Sequence, residues 1–474
     1  MSPIQARSVH LIGVCGTGMG SLAGLLREQG HAVRGSDQDV YPPISTMLES
    51  MGIPILKGYR PENLDPAPDL VVVGNVVGKR NPEVVALLER GLPFRSMPEA
   101  LGDLFLAARH PVVVAGTHGK TTTAALMAHV LTAAGRDPSY LVGGVLVGSE
   151  RSFRLGTGPH FVVEGDEYET SFFDKGPKFL HYRPRTAILT SVEYDHAEMF
   201  PSIDAVEEAF LRFVAIVPPE GTLVACCDDP RASRIAREAR SRLVLYGIRS
   251  GDLRGRIVET GPQGMTFEAE GPPTDGRAPR RFATPMTGSH NLLNGLGVIA
   301  AARTLGLRDE EIAIGLATFR GVHRRQEVVG EAGGVAVLDD FAHHPTAVRE
   351  TIAATRARFP GRRLWAVFEP RTNTTRRSVF QQEYALAFDG ADRSVVASVD
   401  HPEKAPEGNR FDVERLVSDL RARGLDARHI PQVESIVACL ATEAAAGDVV
   451  LVMSNGAFGG IHRRLLEALS KRER

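Results

Sequence analysis

At 474 residues the chain is too long for one ordinary hydrophobic core and predicts about three domains. Charged residues make up 24% of it, the formal net charge is −2, and the basic residues are scattered, which excludes a nucleic-acid-binding field. The four cysteines, Cys15, Cys226, Cys227 and Cys439, have no C-x-x-C spacing, which argues against a zinc ribbon or disulfide framework and fits a reducing compartment. No apolar run reaches the ~18 residues of a membrane span, and residues 1–7 carry no signal-like apolar stretch. The expectation is a soluble cytoplasmic protein with no membrane partner. The closing Lys471-Arg472-Glu473-Arg474 reads as a solvated tail.

The first predicted domain, residues 1–108, opens with a strand at 9–14 and an amphipathic helix that runs to about residue 29. Between them lies Gly13-Val14-Cys15-Gly16-Thr17-Gly18-Met19-Gly20. A second strand at 31–35 ends in Ser36-Asp37, and this βαβ start is the form that holds a diphosphate against a helix N-terminus. The dinucleotide pattern G-x-G-x-x-G uses Gly16 and Gly18 but meets Ser21 at its last position, while Asp37 stands where a ribose-binding acid belongs. A strand at 70–74 and a helix at 82–90 continue the α/β pattern.

The second domain, residues 109–321, opens with the most informative stretch. The strand Val112-Val113-Val114-Ala115 runs into Gly116-Thr117-His118-Gly119-Lys120-Thr121-Thr122, and a helix over 121–134 follows, closed by Gly135. Backbone N–H groups in such a turn converge on one spot, and the helix N-terminus adds partial positive charge there. Lys120 suits β- and γ-phosphates, and the Thr121 hydroxyl suits Mg²⁺. The full P-loop pattern has a glycine where this chain has Val114, so the match is partial. Strands at 161–163 and 186–191 end in Glu164-Gly165-Asp166-Glu167 and in Val192-Glu193-Tyr194-Asp195-His196. In a parallel sheet these ends share the phosphate-loop edge, which brings Glu164, Asp195 and His196 toward a triphosphate. Glu164 then takes the part of the acid that holds a phosphate-bridging metal. Residues 271–281, rich in Pro and Gly, read as a surface loop.

The third domain, residues 322–474, has predicted strands at 335–338, 364–368, 393–397 and 449–453, separated by helical segments, again an open α/β sheet. Gly321-Val322-His323-Arg324-Arg325 reads as a positively charged hinge. The loop Asp339-Asp340-Phe341-Ala342-His343-His344-Pro345 lies where ligand contacts cluster, but its spacing is poor for a metal site. Arg371 and Arg376 follow the strand at 364–368 and suit the paired carboxylates of a ligand. No nucleophile elbow is present. Lys120, Thr121, Glu164, His196 and Arg325 supply the positioning and charge that phosphoryl transfer needs.

Across essentially its whole length the sequence resembles the Mur ligase family. The resemblance rests on the phosphate loop at 116–122, Glu164, Asp195-His196, the G-x-H-N-x-x-N element Gly288-Ser289-His290-Asn291-Leu292-Leu293-Asn294, the hinge Arg325, and Asp340 in Asp-Phe-Ala-His-His-Pro. It implies a UDP-sugar domain using Gly16, Thr17, Gly18, Met19, Ser36 and Asp37. It implies an ATP domain using Gly116, Thr117, His118, Gly119, Lys120, Thr121, Thr122, Asn291, Asn294, Arg325 and Asp340. Thr121, Glu164 and His196 are the implied Mg²⁺ ligands, Lys120, Glu164, His196, Arg325 and Asp340 the implied catalytic set. The implied reaction joins a carboxylate to an amine through an acyl phosphate. Later members of the pathway use a lysine after the Asp-His pair, and residues 197–216 contain none, which points to UDP-N-acetylmuramate as the carboxylate. Residues 36–43, 172–182 and 453–462 are similar to members that add the recycled murein tripeptide L-alanyl-γ-D-glutamyl-meso-diaminopimelate, with Arg371 and Arg376 as its anchors. An L-alanine-adding ligase is the alternative. A nicotinamide oxidoreductase has no use for the phosphate loop, and a non-catalytic nucleotide-binding regulator none for Lys120, Glu164 and His196 together.

Overall fold

The computed structural model describes residues 8–271 and 280–473. The loop expected at 271–281 therefore falls almost wholly outside the described residues. Three sheets follow one another along the chain. The first holds β1 (Ser8–Ile12), β2 (Ala32–Asp37), β3 (Ile55–Lys57), β4 (Leu70–Val73) and β5 (Phe94–Ser96), all parallel, in the order β3-β2-β1-β4-β5. The second holds β6 (His110–Ala115), β7 (Ser139–Leu141), β8 (Phe153–Arg154), β9 (His160–Gly165), β10 (Thr186–Leu189), β11 (Thr222–Cys226), β12 (Arg242–Gly247), β13 (Leu253–Gly261), β14 (Gly264–Glu270) and β15 (Arg280–Thr284). Their order is β15-β14-β13-β12-β11-β10-β6-β9-β7-β8. The third holds β16 (Glu327–Ala332), β17 (Val335–Asp340), β18 (Leu364–Phe368), β19 (Arg393–Val396), β20 (Asp426–His429) and β21 (Val449–Met453), ordered β16-β17-β21-β18-β19-β20.

The central strands of each sheet are runs of Val, Ile, Leu and Ala because helices cover both of their faces and no polar side is needed. That continuous apolarity made β1, β4, β6, β9, β10, β17, β18, β19 and β21 legible, whereas β11 and β12 were absent from the sequence reading. The antiparallel strands β13, β14 and β15, absent from the sequence reading, have one solvated face, as in the alternating burial of β14. The short edge strand β8 is covered by the helix Thr17–Glu28 of the first domain: Ser21 and Ser152 hydroxyls are 2.8 Å apart, and Arg151 pairs with Glu28 at 3.0 Å. Covering the edge joins the first two domains and shields it from pairing with another chain. The tail is less free than expected, because Arg472 donates to the carbonyls of Ala444 and Thr442.

A buried polar network fixes the glycine loop of the first domain. The Glu83 carboxylate accepts from His10 Nε2 at 2.9 Å, Ser36 Oγ at 2.6 Å, Asn63 Nδ2 at 2.5 Å and the Arg60 N–H at 3.2 Å. The carbonyl of Ser36, held by this network, accepts the N–H groups of Gly13 and Val14. Glu83 and His10 are fully buried, so removing one partner strands the rest without water. Glu83→Ala is expected to lower the unfolding free energy of this domain by about 3 kcal/mol. Denaturant melts of the two proteins check it, and a loss within error of zero contradicts the role given to the network.

Candidate active site

The phosphate loop closes as its residues require. Gly116 has φ +136° and Gly119 φ +80°; a Cβ on the first would lie 2.1 Å from Thr190 Oγ1, and one on the second 2.5 Å from Asn294 Oδ1. Only glycine meets both constraints. Val114 lies inside β6, and the helix begins at Lys120, one residue before the expected start. The segment after β10 pins the loop: Ser191 O accepts the Thr117 N–H at 2.9 Å, and Ser191 Oγ accepts the His118 N–H at 3.0 Å.

Sheet register explains why the strand-end acids converge. Val114 pairs with Glu164, and Ala115 pairs with Gly165 on one side and Leu189 on the other. Thr121 Oγ1 donates to Glu164 Oε2 at 3.0 Å, and the Gly143 N–H donates to Glu164 Oε1. Burial and the neighbouring Asp166 push the Glu164 carboxyl above its usual range, and among the described residues it has no ion-pair partner. Lys120 Nζ donates to the Gly116 carbonyl at 2.6 Å and to Glu167 at 2.9 Å. Burial opposes its charge, but Glu167, Asp166 and Glu164 hold its pKa above the ordinary lysine value. His196 lies 3.8 Å from Glu167 and 3.7 Å from Glu198. Burial disfavours its charge, yet Glu198, Asp195 and Glu167 raise its pKa to about 9.

Sequence reading missed Lys178. It pairs with Asp166 at 3.1 Å and sits 4.0 Å over the Tyr168 ring, so a second ammonium enters the same corner. Its signal was the stretch 172–182, which delivers it, but nothing in the spacing aimed it at Asp166.

Asn291 and Asn294 are buried and bonded to protein. Asn294 Oδ1 accepts from Thr123 Oγ1, its amide donates to Asn291 Oδ1, and the Asn291 amide donates to the Thr287 carbonyl. They tie the helix Ser289–Thr304 to the loop helix Lys120–Ala133. His290 beside them is half-buried, desolvation keeps it neutral, and its buried Nδ1 has no hydrogen-bond partner among the described residues.

The third domain reaches the cleft through its hinge. Arg325 is half-buried with its guanidinium 4.6 Å from the Phe341 ring. Asp340 accepts the N–H groups of Gln326 at 2.8 Å and Ala342 at 2.7 Å, so its carboxylate fixes the hinge turn. Thr374 donates to Asp195 at 3.0 Å across the domain boundary. Arg376 is 9% exposed and bound to Asp400 at 3.1 Å, whereas Arg371 is 38% exposed, with Glu369 and Asp400 at 3.8 and 3.7 Å. Arg371 is thus available to a ligand and Arg376 is engaged in shaping the loop.

In the first domain, Gly16, Thr17, Gly18 and Met19 line the cleft at the N-terminus of the helix Thr17–Glu28. Ser36, expected to face a UDP-sugar, is fully buried with its hydroxyl on Glu83, so its part is to hold the loop from behind. Asp37 accepts the Cys15 N–H at 2.8 Å and the Tyr59 hydroxyl at 3.1 Å. One continuous cleft of about 1910 Å³ joins all three domains. Single small-molecule sites run to roughly 1,000 Å³, so this one has room for more than one ligand.

The chain matches three family descriptions in succession: "Mur ligase family, catalytic domain" over residues 8–109, "Mur ligase middle domain" over 114–302 and "Mur ligase, glutamate ligase domain" over 324–456. It is 40% identical to the UDP-N-acetylmuramate–L-alanyl-γ-D-glutamyl-meso-2,6-diaminoheptandioate ligase of Escherichia coli K12, over 98% of each chain. It is 35% identical to the UDP-N-acetylmuramate–L-alanine ligase of Rubrobacter xylanophilus, over 97% of this chain and all of the other. Among solved structures, a murein peptide ligase from Psychrobacter arcticus superposes with a TM-score of 0.71 at 35% identity, covering 98% of this chain and 99% of that one.

The charge on His196 has a direct readout. In metal-free protein its ring resonances are expected to titrate at about 9, well above the ordinary 6.5. The pair of states gives a sign: stability from this group is complete below pH 6.5 and is lost as pH rises through about 9. Two-dimensional NMR of the imidazole measures it, and a midpoint at 6.5 or below contradicts the carboxylate cage described here.

Proposed function

We infer the function from one premise: this chain belongs to the Mur ligase family. It is an ATP-dependent ligase that joins the amine of L-alanyl-γ-D-glutamyl-meso-diaminopimelate to the carboxylate of UDP-N-acetylmuramate in peptidoglycan recycling. The observation that carries the acceptor is the 40% identity to the E. coli tripeptide ligase over 98% of both chains. The L-alanine ligase, at 35% over comparable length, is the competing assignment.

We assign residues 1–108 to the UDP-sugar, 109–321 to ATP and 322–474 to the acceptor. Gly16 to Met19 meet the diphosphate at a helix N-terminus, with Ser36 and Asp37 holding that loop in shape. The muramate carboxylate oxygen attacks the γ-phosphorus of ATP, ADP leaves with the electron pair of the broken P–O bond, and an acyl phosphate results. The tripeptide amine then attacks the acyl carbon, and phosphate is expelled from the tetrahedral intermediate as the amine loses its proton. Lys120, aimed by Gly116 and Glu167, offsets charge on the transferring phosphoryl group. Thr121, Glu164 and His196 fit a divalent cation: a hydroxyl, a half-buried carboxylate that makes no ion pair among the described residues, and an imidazole. They would hold Mg²⁺, which when bound neutralises phosphate charge. His196 must give up its proton to serve as such a ligand. Arg325 and Asp340 set the hinge that lets the third domain close and exclude water from the acyl phosphate. Among the described residues no helix is long and apolar enough to cross a membrane, and ATP and UDP-linked substrates support a cytoplasmic setting.

The assignment is tested by offering the enzyme UDP-N-acetylmuramate, ATP and equal concentrations of L-alanine and tripeptide. The tripeptide adduct is the expected main product by mass, and a dominant alanine adduct contradicts the assignment. Lys120→Ala should lower kcat at least ~10²-fold, as for the loss of one charge stabiliser in a dry site. Steady-state kinetics at saturating ATP measure it, and near-wild-type turnover contradicts the role of the loop. Arg371→Ala should raise KM for the tripeptide with KM for L-alanine unchanged. Arg376→Ala should also raise the tripeptide KM, by freeing Asp400 and the loop. Competition kinetics decide it, and a wild-type tripeptide KM in both variants rules out this arginine pair.

A further inference from the structure

Outside the set Thr121, Glu164 and His196, three side chains of ligating type meet at Glu193. His118 comes from the phosphate loop, Glu193 from the segment after β10, and His344 caps the helix Pro345–Arg358 of the third domain. His118 Nε2 lies 3.0 Å from Glu193 Oε2, and His344 Nδ1 lies 3.5 Å from the same oxygen. The two imidazole centroids are 4.6 Å apart, and one ligand atom from each residue lies within 4.8 Å of the others. All three line the cleft, so an ion can reach them.

The hydrogen bonds fix the tautomer of His344. Its Nε2 is 3.2 Å from the Tyr194 carbonyl, which only accepts, so the proton is on Nε2. Its Nδ1 accepts the Thr346 N–H at 3.3 Å and therefore carries a lone pair. Burial keeps this imidazole neutral. Burial pushes Glu193 up, but the hydrogen bonds from His118 and the Thr346 hydroxyl hold it ionised. The Nδ1 lone pair thus lies 3.5 Å from the Glu193 carboxylate, and a cation between them would take it in exchange for the 3.3 Å Thr346 N–H contact.

We propose that His118, Glu193 and His344 bind a borderline divalent transition metal of the Zn²⁺ class, bridging the phosphate loop and the third domain. Two imidazoles and one carboxylate are a donor set for such ions. Metal–ligand bonds of about 2.0–2.2 Å put neighbouring ligands of a tetrahedral centre roughly 3.3 Å apart. The separations of 3.0 and 3.5 Å lie on either side of that value. The surroundings also match a metal site: His344 gives its other N–H to a carbonyl, and Thr346 Oγ1 donates to Glu193 at 2.8 Å. The metal takes the place of the proton on His118 Nε2, which moves to Nδ1 of the same ring and leaves the imidazole neutral. The fourth position faces the cleft. Occupancy fastens the third domain to the phosphate loop and slows the opening that substrate exchange needs.

The test uses the full chain freed of metal, with Co²⁺ alone as the probe. Wild type is expected to bind one Co²⁺ with the visible d–d bands of a four- or five-coordinate centre, and Zn²⁺ is expected to abolish them. His344→Asn, which keeps an acceptor for the Thr346 N–H, and Glu193→Gln should each weaken Co²⁺ binding at least ~10-fold, the smallest loss expected even for an outer-shell partner. His196→Asn should bind as wild type does, which separates this site from the nucleotide-metal ligands. The two weakening variants lie in different domains, and their circular dichroism melts identify a folding defect in either. Absence of the bands in wild type, wild-type affinity in either weakening variant, or loss of the bands in His196→Asn overturns the proposal.

Discussion

Lys120 is held at a helix N-terminus by the Gly116 carbonyl and the Glu167 carboxylate, in a corner that also contains Glu164, Asp166, Lys178 and His196. So much charge with little water is costly unless each group has a partner. The left-handed turn at Gly119, the register of β6 against β9 and β10, and the pinning of the loop by Ser191 all act to hold these partners at their distances. On the assignment proposed above, an incoming polyphosphate would meet donors that are already oriented, which is the condition under which fixed charges lower a barrier most.

The other two domains are built around that corner. The first contributes a second helix N-terminus, whose loop is set by Ser36 and Asp37 from the side away from the cleft. The third contributes Asp340, whose carboxylate shapes the hinge, and Thr374, which reaches Asp195 beside His196. The Thr374 hydrogen bond thus ties the third domain to Asp195, one of the carboxylates that raise the His196 pKa.

What the sequence makes legible is what is local. Strand, glycine turn and helix are read from a dozen consecutive residues, and Glu164 and Asp195 follow because parallel strands present their C-terminal ends at one edge. Lys178 on Asp166, Arg376 on Asp400 and Ser36 on Glu83 join residues brought together only by the folded chain, and spacing carries no trace of such pairings. Arg376 shows the consequence: the residue type was right for a carboxylate, but the carboxylate it meets is the protein's own. The strands β13, β14 and β15 escaped because their solvated face leaves a weaker apolar signal, while β11, buried and parallel, is a short run, Thr222–Cys226, and escaped too.

The central claim is chemical: this corner activates the muramate carboxylate by transferring phosphoryl from ATP to it. The most direct measurement follows oxygen. UDP-N-acetylmuramate labelled with ¹⁸O in its carboxylate is turned over with ATP and the tripeptide, and the released phosphate is analysed by mass. The account predicts one labelled oxygen in the phosphate, carried there when the acyl phosphate breaks. Phosphate without label, or label appearing in AMP, contradicts it.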